Sequence, residues 1–316
     1  MTSSARRMNK QAVDDMVKPR FAGLSRMLES GDYKLYISLG SGSTLSFASG
    51  CALFSILEES GLAGYVAEVW GNSSGAIVGG LWSAGRSAGE IVGMVSGLRV
   101  GQVRDIAWGH ILKGFLRRPF CPNGIDGFLK GDKLERLLEK SLPVATFEEC
   151  RVPFRCIAYP DDGTDRIKVF ERGLLAPAIR ASISMQWVFL PKVIDGVRYL
   201  DGTMAEKTPM KSIMDYHRGR GDKRKPLILA TYNGWDEGYH RLGKRHFGLL
   251  RRANQFKEVL QGRAFWAQVE LAQMQGAKVV VLTPGSYDVG TLDVRRFNKL
   301  YHRAREVIDE RLGGMK

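Results

Sequence analysis

The chain has 316 residues, 44% of them hydrophobic and 25% charged, with a formal net charge of +14. This is the composition of a globular protein, long enough for one large domain or a main domain with appendages, and its apolar runs fall far short of a membrane span. The charge calls for a polyanionic neighbour: a phospholipid surface, nucleic acid or an acidic partner.

Residues 1–30 read as a basic helical arm, with Met16, Phe21, Leu24, Met27 and Leu28 as its apolar members, and residues 31–316 as a single domain. No signal-type apolar core opens the chain, so a soluble protein is expected, cytoplasmic or peripheral to a membrane. YKLYISLG, 33–40, is the first strand, and a Gly/Ser-rich loop, GSGSTLSFASG, follows it. CALFSILEESG, 51–61, reads as a helix closed by Gly61. GYVAEVW, 64–70, is the second strand, with a tight turn and a small-residue helix from about Ala76 to Gly85 after it. Residues 86–120 are helical in tendency. DKLERLLEKSL, 132–142, is an amphipathic helix with leucines at 134, 137, 138 and 142. Strands recur at 154–160, 166–172, 226–233 and 278–284, and helices near 174–184, 254–273 and 294–312. RGRGDKRK, 218–225, reads as a basic connector. Strands alternating with helices predict an α/β fold with a mostly parallel sheet. Residues 236–316 are expected to complete that fold as a helical, basic extension.

Cysteines stand at 51, 121, 150 and 156. Their spacing matches no zinc ligand set, and no histidine lies close to the 150/156 pair. They read as reduced, mostly buried thiols.

The informative turn is Gly71-Asn72-Ser73-Ser74-Gly75, which fits G-x-S-x-G with Ser73 at its centre. A sharp strand-to-helix turn projects the serine hydroxyl. Glycines on either side, Gly71 and Gly75, admit close approach of neighbouring chain, and the helix that follows aims its positive end at the reacting centre. On composition alone the motif is also an ordinary polar turn; the strand before it and the helix after it favour a nucleophile. A serine needs a base. His110, His217, His240, His246 and His302 are the five histidines, and none lies in a recognisable motif. In VIDGVRYLDGTMAEKTPM, 193–210, a strand ends at Asp201, where α/β sites gather. Asp195-Gly196 fits a hairpin turn.

Together these pieces resemble the patatin-like phospholipase family. SLGSGSTLSFASG ahead of LEESG, GNSSGAIVGGLWSAG, GDKLERLLEKSL and RASISMQWVFLPKVIDGVRYLDGTMAEKTPM stand in the family's order, from about residue 33 to 235. The resemblance implies a three-layer fold, with a mostly parallel central sheet flanked by helices. It also implies a Ser–Asp dyad without histidine: Ser73 as nucleophile, Asp201 as general base, and Gly202 in the turn after it. Gly40, Ser41, Gly42 and Ser43 would supply backbone N–H groups to the oxyanion. The implied activity is hydrolysis of acyl esters in phospholipids, lysophospholipids or neutral lipids, with no metal and no cofactor. Some relatives need an activating partner protein. Three departures stand out. The family loop Gly-Gly-Gly-x-Arg-Gly is here Gly40-Ser41-Gly42-Ser43-Thr44-Leu45, Thr203 follows Gly202 where the family has a small residue, and SISMQW lacks a proline.

HILKGFLRRPF, 110–120, and HRLGKRHFGLLRR, 240–252, mix cations with apolar residues in a way that suits an anionic membrane surface. A solvated face over a packed core accounts for either segment equally. No helix-turn-helix, zinc-finger or RNA-binding pattern is present, so nucleic acid is not the expected partner. The expected function is a serine acyl hydrolase acting on membrane lipid esters. The alternatives are a non-catalytic lipid- or partner-binding protein on the same fold, and an α/β-hydrolase with a histidine base.

Overall fold

The computed structural model describes residues 18–110, 126–164, 166–234, 248–284 and 294–315. In chain order these residues form α1 (Ala22–Glu29), β1 (Tyr33–Leu39), α2 (Thr44–Glu59), β2 (Val66–Gly71), α3 (Ser74–Ser83), α4 (Ala88–Ser96), α5 (Val100–Val103), β3 (Gly127–Leu129), α6 (Asp132–Ser141), β4 (Phe154–Pro160), β5 (Lys168–Phe170), α7 (Leu175–Ser182), β6 (Trp187–Phe189), β7 (Lys192–Ile194), β8 (Val197–Asp201), α8 (Lys211–Arg220), β9 (Lys225–Thr231), α9 (Gly248–Met274), β10 (Lys278–Leu282) and α10 (Phe297–Gly313).

Eight strands make one sheet in the order β10-β9-β1-β2-β4-β8-β7, with β5 on β4. The five strands from β10 to β4 run parallel. β8, β7 and β5 are antiparallel to their neighbours. β3 and β6 pair separately. The strands read as continuous apolar runs because both faces of the sheet are covered. Leu35, Ile37 and Leu39 of β1 join a core with α1, α2, α3 and α10, while Tyr36, Trp70 and Ile157 pack on the other side with Met210, which caps α8, and with Ile213, Phe265 and Val269 of α8 and α9. Each such side chain contributes about 1.5–3 kcal/mol by leaving water. The result is three layers, helices–sheet–helices.

Several elements differ from the sequence reading. The Gly/Ser stretch is mostly helix: α2 begins at Thr44, seven residues before Cys51, and every residue from Thr44 to Leu57 is buried. Its small side chains reflect packing room, since a Cβ on Gly50 would sit 3.1 Å from Val78. Ser46 turns its hydroxyl onto the Gly40 carbonyl in the loop before the helix, and Ser49 onto the Leu45 carbonyl one turn back. Gly61 does close the helix, at φ 71°. The segment 22–29, read as part of an arm, lies in the body of the protein, with Phe21, Leu24 and Leu28 in the first core. β10 adds the edge strand beyond β9, and α10 packs on α2. The first three residues of 218–225 belong to α8, which Gly221 ends at φ 62°. β3, β6 and β7 are three residues each, too short to show a period. Cys51 and Cys156 are buried and Cys150 is half-buried, all as free thiols. Residues 111–120 and 240–247, which hold most of the two basic–apolar stretches, lie outside the described residues. Among the described residues, no helix is long and apolar enough to cross a membrane.

Candidate active site

β2 ends at Gly71, and α3 begins at Ser74. Ser73 joins them at φ 54°, ψ −124°. A non-glycine residue there costs roughly 1–3 kcal/mol and persists only where its surroundings hold it. Gly75 shows one such constraint: a Cβ there would lie 2.4 Å from the Leu39 carbonyl oxygen and 2.8 Å from that of Gly40. The elbow therefore packs backbone to backbone on the end of β1.

Sheet register brings Asp201 to the same level. Gly71 pairs with Cys156 of β4, and two residues further along β4 Ala158 pairs with Asp201 of β8. Ser73 is itself two residues beyond Gly71, so β4 spaces both side chains equally. Ser73 Oγ donates to Asp201 Oδ2 at 2.8 Å. The other carboxylate oxygen, Oδ1, accepts from the backbone N–H and the hydroxyl of Thr203, at 2.8 and 2.5 Å. Asp201 is buried. Burial pushes its carboxyl above the usual aspartate range, opposed by the Thr203 and Ser73 hydrogen bonds and by the charge of Lys257 on α9. A carboxylate so raised is a better proton acceptor than an exposed one.

The histidines lie elsewhere. Nδ1 of His217 is 2.9 Å from the Tyr36 hydroxyl, His110 accepts from the N–H of Asp126, and His302 packs on Tyr301. His240 and His246 lie outside the described residues. None of the three described histidines hydrogen-bonds to Ser73 or Asp201.

The Gly/Ser loop runs directly beneath the elbow. Its four positions divide. The N–H of Gly40 donates to Thr231 Oγ1 at 3.1 Å, and that of Ser41 to the Lys207 carbonyl at 2.9 Å. These two donors hold the loop to its neighbours, β9 and the segment after Asp201, whereas the sequence reading assigns all four positions, 40–43, alike. Gly42 has φ 145°, and Ser43, at φ 54° and ψ −129°, turns the chain into α2.

The patatin-like phospholipase profile matches residues 37–214, over half the chain, from within β1 to within α8. The chain belongs to the patatin-like phospholipase family. Members of this family are lipid acyl hydrolases. Two curated relatives are uncharacterized NTE-family proteins of Mycobacterium bovis and Mycobacterium tuberculosis. Each is 26% identical over 214 residues, which is 67% of this chain and 53% of theirs. The chain thus spans about half the length of the curated relatives it matches. Among solved structures it is similar to VipD from Legionella pneumophila (TM-score 0.48, 11% identity, 88% of this chain and 66% of that one). It is also similar to the type III effector ExoU (TM-score 0.45, 14% identity, 89% and 53%).

Against the patatin-like pattern, three residues of the site escape the sequence reading. Thr203 appears there as a departure, yet it supplies both hydrogen bonds to Asp201 Oδ1. An Asp followed two residues later by Thr is a local side-chain-to-backbone turn, and that signal was available. Asn72 donates from Nδ2 to the Glu206 carbonyl at 2.5 Å, tying the elbow to the loop after Asp201. Gly202 makes room for it, since a Cβ there would be 2.5 Å from Asn72 Oδ1. Ser182, at the end of α7, accepts the Ser73 N–H at 2.9 Å, and no local sequence signal marks it.

Proposed function

We propose that this protein is a serine acyl hydrolase that cleaves fatty-acyl esters of membrane lipids through Ser73 and Asp201. The observation that carries this reading is the 2.8 Å hydrogen bond from Ser73 Oγ to a buried, raised carboxylate. A dyad of this kind works without imidazole. Ser73 Oγ attacks the acyl carbonyl carbon as its proton passes to Asp201 Oδ2. The tetrahedral intermediate then collapses, the alcohol portion of the lipid leaves with that proton, and an acyl ester remains on Ser73. Asp201 next takes a proton from water, the resulting hydroxide attacks the ester, and the proton returns to Ser73 Oγ as the fatty acid leaves.

The developing oxyanion needs donors. With the N–H groups of Gly40 and Ser41 engaged, this role falls to Gly42 and to the N–H of Ser74, the residue after the nucleophile. α2 and α3 begin at Thr44 and Ser74, so two helix N-termini add positive potential at the same place. The net charge of +14 supports an anionic lipid surface as the working environment, where each cation near the surface contributes about 1 kcal/mol.

The test is fatty-acid release from mixed phosphatidylcholine–phosphatidylglycerol vesicles by wild type, Ser73→Ala and Asp201→Asn, each checked for folding. Release by wild type and its loss in both variants is expected. Equal release by all three would sink the dyad. If none releases fatty acid and a fluorophosphonate never labels Ser73 in the folded protein, the binding-protein reading takes its place.

A further inference from the structure

The end of α7 reaches both members of the pair. Ser182 Oγ accepts the N–H of Ser73 at 2.9 Å, and two residues on the carbonyl of Ser184 accepts the N–H of Asp201 at 3.0 Å. This short segment therefore holds the backbone of the nucleophile and the backbone of the acid together. It is anchored in turn by Arg180, a guanidinium buried to 1% exposure. Arg180 donates to the Ser184 hydroxyl at 2.8 Å and to the carbonyls of Lys130, Leu190 and Gly131 at 2.7, 2.9 and 3.2 Å. All four acceptors are neutral, and the fork of the guanidinium fixes several backbone strands at once. The fit is close, because a Cβ on Gly131 would fall about 2.0 Å from Arg180 Nε.

The elbow needs such support. Ser73 stands at positive φ, and an N–H left without its acceptor there would relax the turn. Proton transfer between Ser73 and Asp201 depends on a separation held to a few tenths of an ångström, and a displacement of about 1 Å costs on the order of 10² in rate. We propose that Ser182 is a positioning residue for the Ser73–Asp201 pair, with Arg180 as the anchor of the segment that carries it. This rests on the dyad reading above.

The test is Ser182→Ala, with Ser182→Cys as a variant of similar volume whose sulfur accepts only weakly. Three readouts are compared with wild type: kcat and KM on the same vesicles, the rate of fluorophosphonate labelling of Ser73, and the acid limb of the pH profile. Ser182→Ala should lower kcat and the labelling rate about 10- to 100-fold with KM within twofold, and Ser182→Cys should fall between. The acid limb should move to higher pH, because a loosened Ser73 gives up part of the hydrogen bond that holds the Asp201 carboxyl down. A merely structural role would not move that limb. Ser60→Ala is the control: it removes a buried hydroxyl bonded only to Ile56 and Leu57 carbonyls, and should leave kcat and the limb unchanged. If Ser182→Ala does not fold, Ser182→Cys decides, with a labelling rate at least threefold below wild type expected. Wild-type kcat, labelling and acid limb in the folded Ser182 variant would overturn the proposal while Ser73→Ala stays inactive. Full release by Ser73→Ala would instead overturn the dyad.

Discussion

Two turns in this molecule share one backbone device and differ in what surrounds them. After β1 the chain turns at Ser43 (φ 54°, ψ −129°) into α2, and after β2 it turns at Ser73 (φ 54°, ψ −124°) into α3. Both follow parallel, paired strands, and both place a serine at the start of a helix. On backbone grounds either could be an elbow for a nucleophile. The sheet order separates them. The far neighbour of β1 is β9, whose last residue, Thr231, braces the loop at Gly40. The far neighbour of β2 is β4, which holds β8 and so Asp201 at the height of Ser73. The same local conformation becomes a support in one place and a paired hydroxyl in the other, according to which strand stands beside it.

The comparison breaks most directly at the two serines. Ser73→Ala should lower fatty-acid release by at least about 10⁴-fold. Ser43→Ala should cost no more than about tenfold, since it leaves the Ser73–Asp201 contact and the loop backbone in place. Equal losses measured on the same vesicles would mean that the two turns do not divide the work in this way. A smaller effect is expected where the turns touch. Gly75→Ala drives a Cβ against the Leu39 and Gly40 carbonyls and must part the elbow from the loop. Release should fall about 10²-fold, and a denaturant titration should show a loss of roughly 1–3 kcal/mol. Unchanged release would mean that the loop need not lie against the elbow.

The mildest variant sharpens the role of the acid. In the proposed mechanism Asp201 must be ionised to take the Ser73 proton, so the rate should be lost as pH falls through its raised pKa. Thr203→Val deletes the hydroxyl hydrogen bond that holds that pKa down. The acid limb should therefore move to higher pH, and the rate at pH 7 should fall by less than about tenfold, with little change well above the limb. A limb that stays put, or moves to lower pH, would show that Thr203 does not set the acid.

Much of this was open to a reader of the residues. Continuous apolar runs located β1, β2, β4, β9 and β10, and helical leucine spacing located α6, because each is long enough to stand out from its flanks. Ser73 was legible because a G-x-S-x-G turn between strand and helix is a local signal. Asp201 was reached as a carboxylate at a strand end, the order of four family motifs then implied its role as base, and its turn chemistry is likewise local. Other features were hidden for one reason: they depend on partners far away in sequence. The Ser-, Ala- and Gly-containing stretch from Thr44 to Gly50 resembles a loop until Val78 and Leu39 are seen against Gly50. Gly40 and Ser41 have the composition of oxyanion donors, but their N–H groups belong to Thr231 and to Lys207, 191 and 166 residues away. Ser182 meets Ser73 across 109 residues. The residues by themselves determined which hydroxyl and which carboxylate this chain could set against each other. Only the packed sheet, with β4 as spacer and the end of α7 as brace, decided that they stand 2.8 Å apart, because hydrogen bonds of that length are made by strand register and not by sequence spacing.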